Sequence, residues 1–282
     1  MILEHSNGVS FFQFPKLLVF SDIQHGIFTR NNGTSRGSYS SLNVSFGVGD
    51  DRRRVLQNRK IISQCLAGDD LVFIDQVHGT RVLIFAKENE SGNPYSIDSL
   101  SEHEFTEIGE ELGGVIESES GHPLIGDAIV TNMLNKNLVV QVADCQSVLM
   151  YEPVRQVVAN VHAGWRGSIN NIIGRTIKVM EQNFGCYPRD IVAGISPSLG
   201  PCCAEFINYR QEIPAAFWPY KDDRDHFDFW SVSRDQLCDA GVIDKNIDLG
   251  RICTKCDTDN FFSFRGQGTT GRFASVIGIK ET

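Results

Sequence analysis

Gln156-Val157-Val158-Ala159-Asn160-Val161, running into His162-Ala163-Gly164-Trp165-Arg166-Gly167, is the stretch on which the fold turns. The first six residues are short and rich in β-branched side chains, as a buried strand is. The next six bring two glycines and an arginine to the start of a helical pattern. That pattern spans Ser168 to Phe184, with Ile169, Ile172, Ile173, Ile177, Val179 and Met180 along it, and Gly185 and then Pro188 close it.

The rest of the chain repeats these ingredients. Leu71-Val72-Phe73-Ile74 leads into Asp75-Gln76-Val77-His78-Gly79, and Leu138-Val139-Val140-Gln141-Val142 leads into Ala143-Asp144-Cys145. A second helix is expected from Asp51 to Leu66, with Asp50-Asp51 able to cap its start. Strands interleaved with helices favour a mixed α/β domain, and no internal repeat is evident. The segment from Glu88 to Gly121 differs: it is rich in Glu, Ser and Gly and has no Lys or Arg. It is expected to be an exposed acidic excursion, partly helical, with a lid or partner surface as a secondary role.

The chain has 282 residues, 41% of them apolar and 10% aromatic, which is ample for a buried core and excludes wholesale disorder. Against 26 Lys and Arg stand 35 Asp and Glu, a formal charge of −9. That balance argues against a sequence-independent nucleic-acid binder, which needs clustered cations, but allows a small anion in a local basic pocket. Met1 to Phe20 is a poor signal peptide, and no apolar run is long enough for a membrane helix, so no membrane partner and a cytoplasmic location are expected. Eight cysteines in a chain of this length do not suggest a small disulfide scaffold; reduced thiols, some near metal, are expected.

His78, Cys145 and His162 each follow a predicted strand, and ends of neighbouring strands in one sheet lie close together. Two imidazoles and a thiolate suit zinc, and a fourth position left open marks a catalytic rather than a structural site. Spacing leaves a second reading open, in which two packed histidines and a buried free cysteine carry no metal. Blue-copper centres share the ligand set, with Met150 as the nearest axial candidate; scattered ligands favour zinc over copper. Arg166 beside a helix start, together with Arg30 and Asn43 in glycine-punctuated loops and Gln76 beside His78, are candidate phosphate and substrate contacts. Asp144 is a candidate general acid or base, or a turn hydrogen bond. For Cys202-Cys203 and Cys253-Thr-Lys-Cys256, buried or redox-sensitive thiols are placed ahead of a second metal site, because adjacent cysteines make a poor first ligand pair.

Taken in order, Ser41-Leu-Asn through Gly47-Val-Gly-Asp-Asp51, Gln76-Val-His-Gly79, Gly126-Asp-Ala128, Ala143-Asp-Cys145, His162-Ala-Gly-Trp-Arg-Gly167 and Gly200-Pro-Cys-Cys203 resemble the YfiH-like laccase-domain family. Cys253-Thr-Lys-Cys256, Phe261-Phe-Ser-Phe-Arg265 and Thr270-Gly-Arg272 fit it too. Members of that family go by the names multicopper polyphenol oxidase and purine nucleoside phosphorylase. The resemblance implies a single domain over residues 1–282 with an acidic insert at about 88–121. Its fold would be an α/β (α+β) sandwich of mixed sheets flanked by helices, like certain cysteine-based toxin deamidases.

The resemblance also implies zinc on His78, Cys145 and His162, with copper as the other metal. Adenosine, inosine and methylthioadenosine would be phosphorolysed, adenosine would also be deaminated, and the partners would be nucleoside and phosphate, in a monomer or homodimer. A cysteine-dependent editing amidase acting on peptidoglycan precursors and a copper phenol oxidase are the alternative activities. Gln146, where the family carries an apolar residue, and Phe264, where tyrosine is common, depart from the pattern, as does the length of the insert.

Overall fold

The computed structural model describes residues 1–66, 70–85 and 124–281, together with the backbone of three short strands between 99 and 118. The described strands form two mixed sheets. The first runs, edge to edge, β1 (Ile2–Ser6), β2 (Val9–Gln13), β3 (Ile23–Phe28), β15 (Phe273–Ile279), β10 (Lys136–Val142), β4 (Asp70–Phe73), β8 (Val115–Ser118) and β7 (Phe105–Glu107). The second runs β14 (Ile247–Leu249), β13 (Val192–Ile195), β11 (Gln146–Glu152), β12 (Val157–Ala163), β9 (Ala128–Thr131), β5 (Val82–Phe85) and β6 (Ser99–Leu100). The helices are α1 (Pro15–Leu18), α2 (Arg52–Cys65), α3 (Trp165–Ile169), α4 (Ile172–Phe184), α5 (Tyr209–Glu212), α6 (Phe229–Asp239) and α7 (Phe264–Gln267). None is long and apolar enough to cross a membrane.

Alternation along the central strands explains the layering, because successive side chains of a strand face opposite sides. On β10, Leu138, Val140 and Val142 join Leu149 and Tyr151 of β11 in the core between the sheets. Val139 faces the other way, into a second core beneath Ile62 and Leu66 of the α2 end. On β11, Val148 and Met150 turn outward to a third core with Ile173, Ile177 and Met180 of α4 and Leu237 of α6. The result is a helix–sheet–sheet–helix sandwich, and strands covered on both faces read as unbroken apolar runs. A small polar cluster crosses the central layer. Asn160 on β12 donates to the carbonyls of Leu138 and Ser275 in the opposite sheet, both at 2.9 Å, and accepts from Ser147 at 2.7 Å.

Of the two helices expected from sequence, one forms as read and the other is broken. Asp51 caps α2 as expected, accepting from the amides of Arg53 and Arg54. The pattern from Ser168 to Phe184 is instead broken at Asn171, which is left-handed at φ 56° and caps α4 by accepting from the Gly174 amide. Asparagine tolerates that backbone and supplies the cap, so a second axis begins there and α3 starts at Trp165. Of the acidic segment, the described backbone is strand rather than helix: β6 extends one sheet, while β7 and β8 extend the other. A lid or partner role for that segment lies outside the described residues.

Candidate metal centre

Three segments bring candidate ligands together, two of them where the chain passes from one sheet to the other. β4 belongs to the first sheet and β5 to the second, and the connection between them carries His78. β10 and β11 are likewise in opposite sheets, and Asp144-Cys145 make the turn that joins them. His162 lies within β12, opposite Ser147 of β11, rather than beyond a strand end, because the β11–β12 ladder continues to Ala163. Two of the candidate ligands therefore sit on crossings between the sheets and the third on a strand of the second sheet, not at neighbouring ends of one sheet.

The donor atoms of His78, Cys145 and His162 all lie within 4.8 Å of one another. Cys145 Sγ is 3.7 Å from His78 Nε2. Tetrahedral zinc with ordinary sulfur and nitrogen bond lengths separates such a pair by about 3.5 Å, close to this distance. Gly164 seals one side: a Cβ there would stand 2.9 Å from His78 Cδ2 and 3.2 Å from Cys145 Sγ.

Asp127, fully buried, organises the histidines. It accepts from His162 Nδ1 at 2.8 Å, from the His78 amide at 2.8 Å and from the Gly79 amide at 2.7 Å. Those amide bonds hold His78 in a left-handed conformation at φ 60°, and the ring bond turns His162 Nε2 toward the cysteine. Such carboxylate–histidine pairs orient metal ligands. Burial alone would raise the Asp127 carboxyl, but His162 and the two amides hold it below its usual range. Burial likewise opposes charge on Cys145 and His162. Their attraction prevails, bringing the thiol down to about 6 and the imidazole up to about 9, the electrostatics of a thiolate–imidazolium pair. Asp127 is not among the site residues expected from sequence, although Gly126-Asp-Ala128 carries the signal.

The centre forms part of the wall of a cavity of about 750 Å³, within the size range of small-molecule sites. Phe46, Trp165, Phe206, Phe229 and Phe264 supply aromatic faces, and the cations on the wall are Arg59, Arg265 and Arg272. The expected substrate contacts are distributed differently. Arg30 does not line the cavity; its guanidinium donates to Ser40 and Thr258 carbonyls and lies 4.3 Å from the centroid of the Phe262 ring. Asn43 is fully buried, and its Oδ1 accepts from the Arg272 amide at 2.9 Å, so it positions a wall residue instead of forming the wall. Arg166 is exposed, stacks on Trp165 and does not line the cavity. Gln76 does line it, but both ends of its amide are taken by the Gln141 backbone.

Asp144 borders the cavity at φ 91°, with its carboxylate accepting from Thr254 Oγ1, Ser263 Oγ and the Arg265 amide. Those three donors make it an anchor for the loops around Cys145. Gln146 is also committed, donating to Phe229 O at 3.0 Å and accepting from Ser233, so the departure at this position ties α6 to the cysteine turn. Met150 is fully buried in the core beneath α4, does not line the cavity, and is no axial ligand.

The family profile described as multi-copper polyphenol oxidoreductase laccase matches residues 24–280. A purine nucleoside phosphorylase of Bacteroides thetaiotaomicron is 31% identical, over 95% of this chain and 96% of its own. The purine nucleoside phosphorylase YfiH of Escherichia coli is 30% identical over 88% of this chain and 90% of its own. Among solved structures, YlmD from Geobacillus stearothermophilus superposes with a TM-score of 0.78 at 28% identity, covering 99% of this chain and 98% of that one. With the matched profile spanning nearly the whole chain, this protein belongs to the multi-copper polyphenol oxidoreductase laccase family, the YfiH-like group.

Proposed function

We propose that the protein is a zinc-dependent purine nucleoside phosphorylase that splits adenosine, inosine and methylthioadenosine into free base and pentose 1-phosphate, and that the same site deaminates adenosine. One observation carries the reading. A His–Cys–His ligand set, oriented by Asp127, opens on a cavity that offers aromatic faces for a purine and guanidinium groups for a phosphate. The names of the relatives support it.

Phosphorolysis requires the phosphate to be held beneath the anomeric carbon while the base departs and positive charge builds on the sugar. Arg59, Arg265 and Arg272 are the groups on the wall suited to orient that anion, taking the role that sequence alone gives to Arg30 and Arg166. The aromatic side chains hold the base and exclude water. When bound by His78, Cys145 and His162, zinc supplies Lewis-acid polarisation at an open position. Asp144 keeps Cys145 in place through the loops it anchors.

Purified protein incubated with each nucleoside and inorganic phosphate should release free base and pentose 1-phosphate, with inosine formed from adenosine. Cys145→Ala should abolish both along with the bound metal. Full phosphorolysis by that variant would overturn the metal role.

The line Cys145–His162–Asp127 favours one second reading, a thiol nucleophile activated by a histidine for amide hydrolysis on peptidoglycan precursors. Amide cleavage of a mis-aminoacylated muropeptide by metal-stripped protein would support it, and its absence would remove it. Copper phenol oxidation ranks behind both. Four-electron oxygen chemistry uses several coppers, and the described residues gather one histidine-bearing ligand group.

A further inference from the structure

We propose that Cys202, Cys203, Cys253 and Cys256 form a second metal site, closed and structural, that takes zinc and braces the turn presenting Cys145. Their sulfur atoms all lie within 4.8 Å of one another. Cys256 Sγ is 3.6 Å from both Cys202 Sγ and Cys203 Sγ. Zinc–sulfur bonds in tetrahedral geometry place sulfurs about 3.8 Å apart, close to both of these separations. Four thiolates fill its coordination and leave no position for substrate.

The backbone is shaped for the same end. Cys253-Thr-Lys-Cys256 folds into a tight turn in which the Cys256 amide donates to Cys253 O at 3.1 Å. The Gly200 amide donates to Cys253 Sγ at 3.3 Å, an orienting contact of the kind that surrounds metal ligands. Adjacent cysteines are an unusual pair. Here, however, a turn returning the Cys203 and Ala204 amides to Gly200 O brings both sulfurs within reach of Cys256. Sequence spacing ranks free thiols ahead of metal for this group; the three-dimensional arrangement reverses that order.

The location gives the site its purpose. Its two halves follow β13 and β14, some fifty residues apart in the chain, and a parallel bridge joins Ser198 to Cys253. Both halves hold Asp144: the Leu199 amide donates to Asp144 O at 2.8 Å, and Thr254 Oγ1 donates to its carboxylate at 2.7 Å. An ion there locks both halves around the residue that precedes Cys145.

The test uses the full chain carrying His78→Ala and Cys145→Ala, which removes the first centre from the measurement. Purified under reducing conditions, it should retain about one zinc per chain, with an X-ray absorption spectrum of four sulfur ligands near 2.3 Å. Adding Cys202→Ser and Cys256→Ser should reduce the zinc to near zero. Zinc below a tenth of an equivalent in the first variant, nitrogen or oxygen ligands in its spectrum, or undiminished zinc after the serine substitutions would overturn the proposal. Should the serine variant fail to fold, cobalt loaded into the first variant decides: intense thiolate-to-cobalt absorption supports the site, and its absence refutes it.

Discussion

A single carboxylate oxygen of Asp127 accepts at 2.8 Å both from Nδ1 of His162 and from the amide of His78, so one buried group fixes two histidines that are 84 residues apart in the chain. The pair at its centre, Asp127 and His162, sets which ring nitrogen faces the cysteine.

Asp127→Asn keeps the size but weakens acceptance from the imidazole and two amides. Zinc affinity, or phosphorolysis at saturating zinc, should fall by about 10–100-fold. A competitive zinc titration against a chromophoric chelator, run beside the assay, checks this. Wild-type affinity in the variant would remove the orienting role.

Gly164→Ala tests the closeness of the centre's lid. Its backbone, at φ −72° and ψ 164°, suits alanine, so the fold should tolerate the change. The added methyl meets the His78 ring at 2.9 Å, however, and the ring must move. Phosphorolysis should drop at least ~10-fold, since small displacements of a positioned group are costly, while thermal unfolding shifts only slightly. Equal losses in activity and stability would point to a general packing defect instead.

Asn160→Ala removes the polar link between the sheets. The carbonyls of Leu138 and Ser275 each lose a buried donor, while the Ser147 hydroxyl keeps Ser275 Oγ as a partner at 2.7 Å. Each unsatisfied buried group costs about 1–3 kcal/mol, so urea unfolding should show a loss of about 2–5 kcal/mol. A loss under 1 kcal/mol would mean that water or a neighbour replaces the amide.

His25 supplies a pH dependence of stability. Burial lowers its imidazole from 6.5 to about 4 despite the opposing charge of Asp248, while Nε2 accepts from the Phe14 amide at 2.8 Å. Between those values the unfolded chain holds the extra proton. The contribution is therefore complete above pH 6.5 and is lost as pH falls toward 4, by about 3 kcal/mol in all. Urea melts of wild type and His25→Gln at pH 7.5 and 4.5 measure it; identical pH slopes for the two proteins would refute it.

The elements of the sandwich could be read locally. Valine-rich runs such as Val157–Val161 make strands because their side chains fill both faces of a covered sheet, and Asp51 and Gly185 end helices through their own backbone chemistry. The candidate ligands, His78, Cys145 and His162, were legible as residue types that follow such runs. What only tertiary structure decided was which distant groups meet. Local pattern does not reveal that β4 and β10 pair in one sheet and hand the chain to another, so it cannot place Asp127 behind His162 or gather four scattered thiols. For the same reason Arg30, plausible in its loop, and Arg166, plausible at its helix start, lie off the cavity wall, whereas Arg59, Arg265 and Arg272 line it. A strand's character comes from neighbours along the chain, but a site's membership is set by the packing of faces that are far apart in sequence.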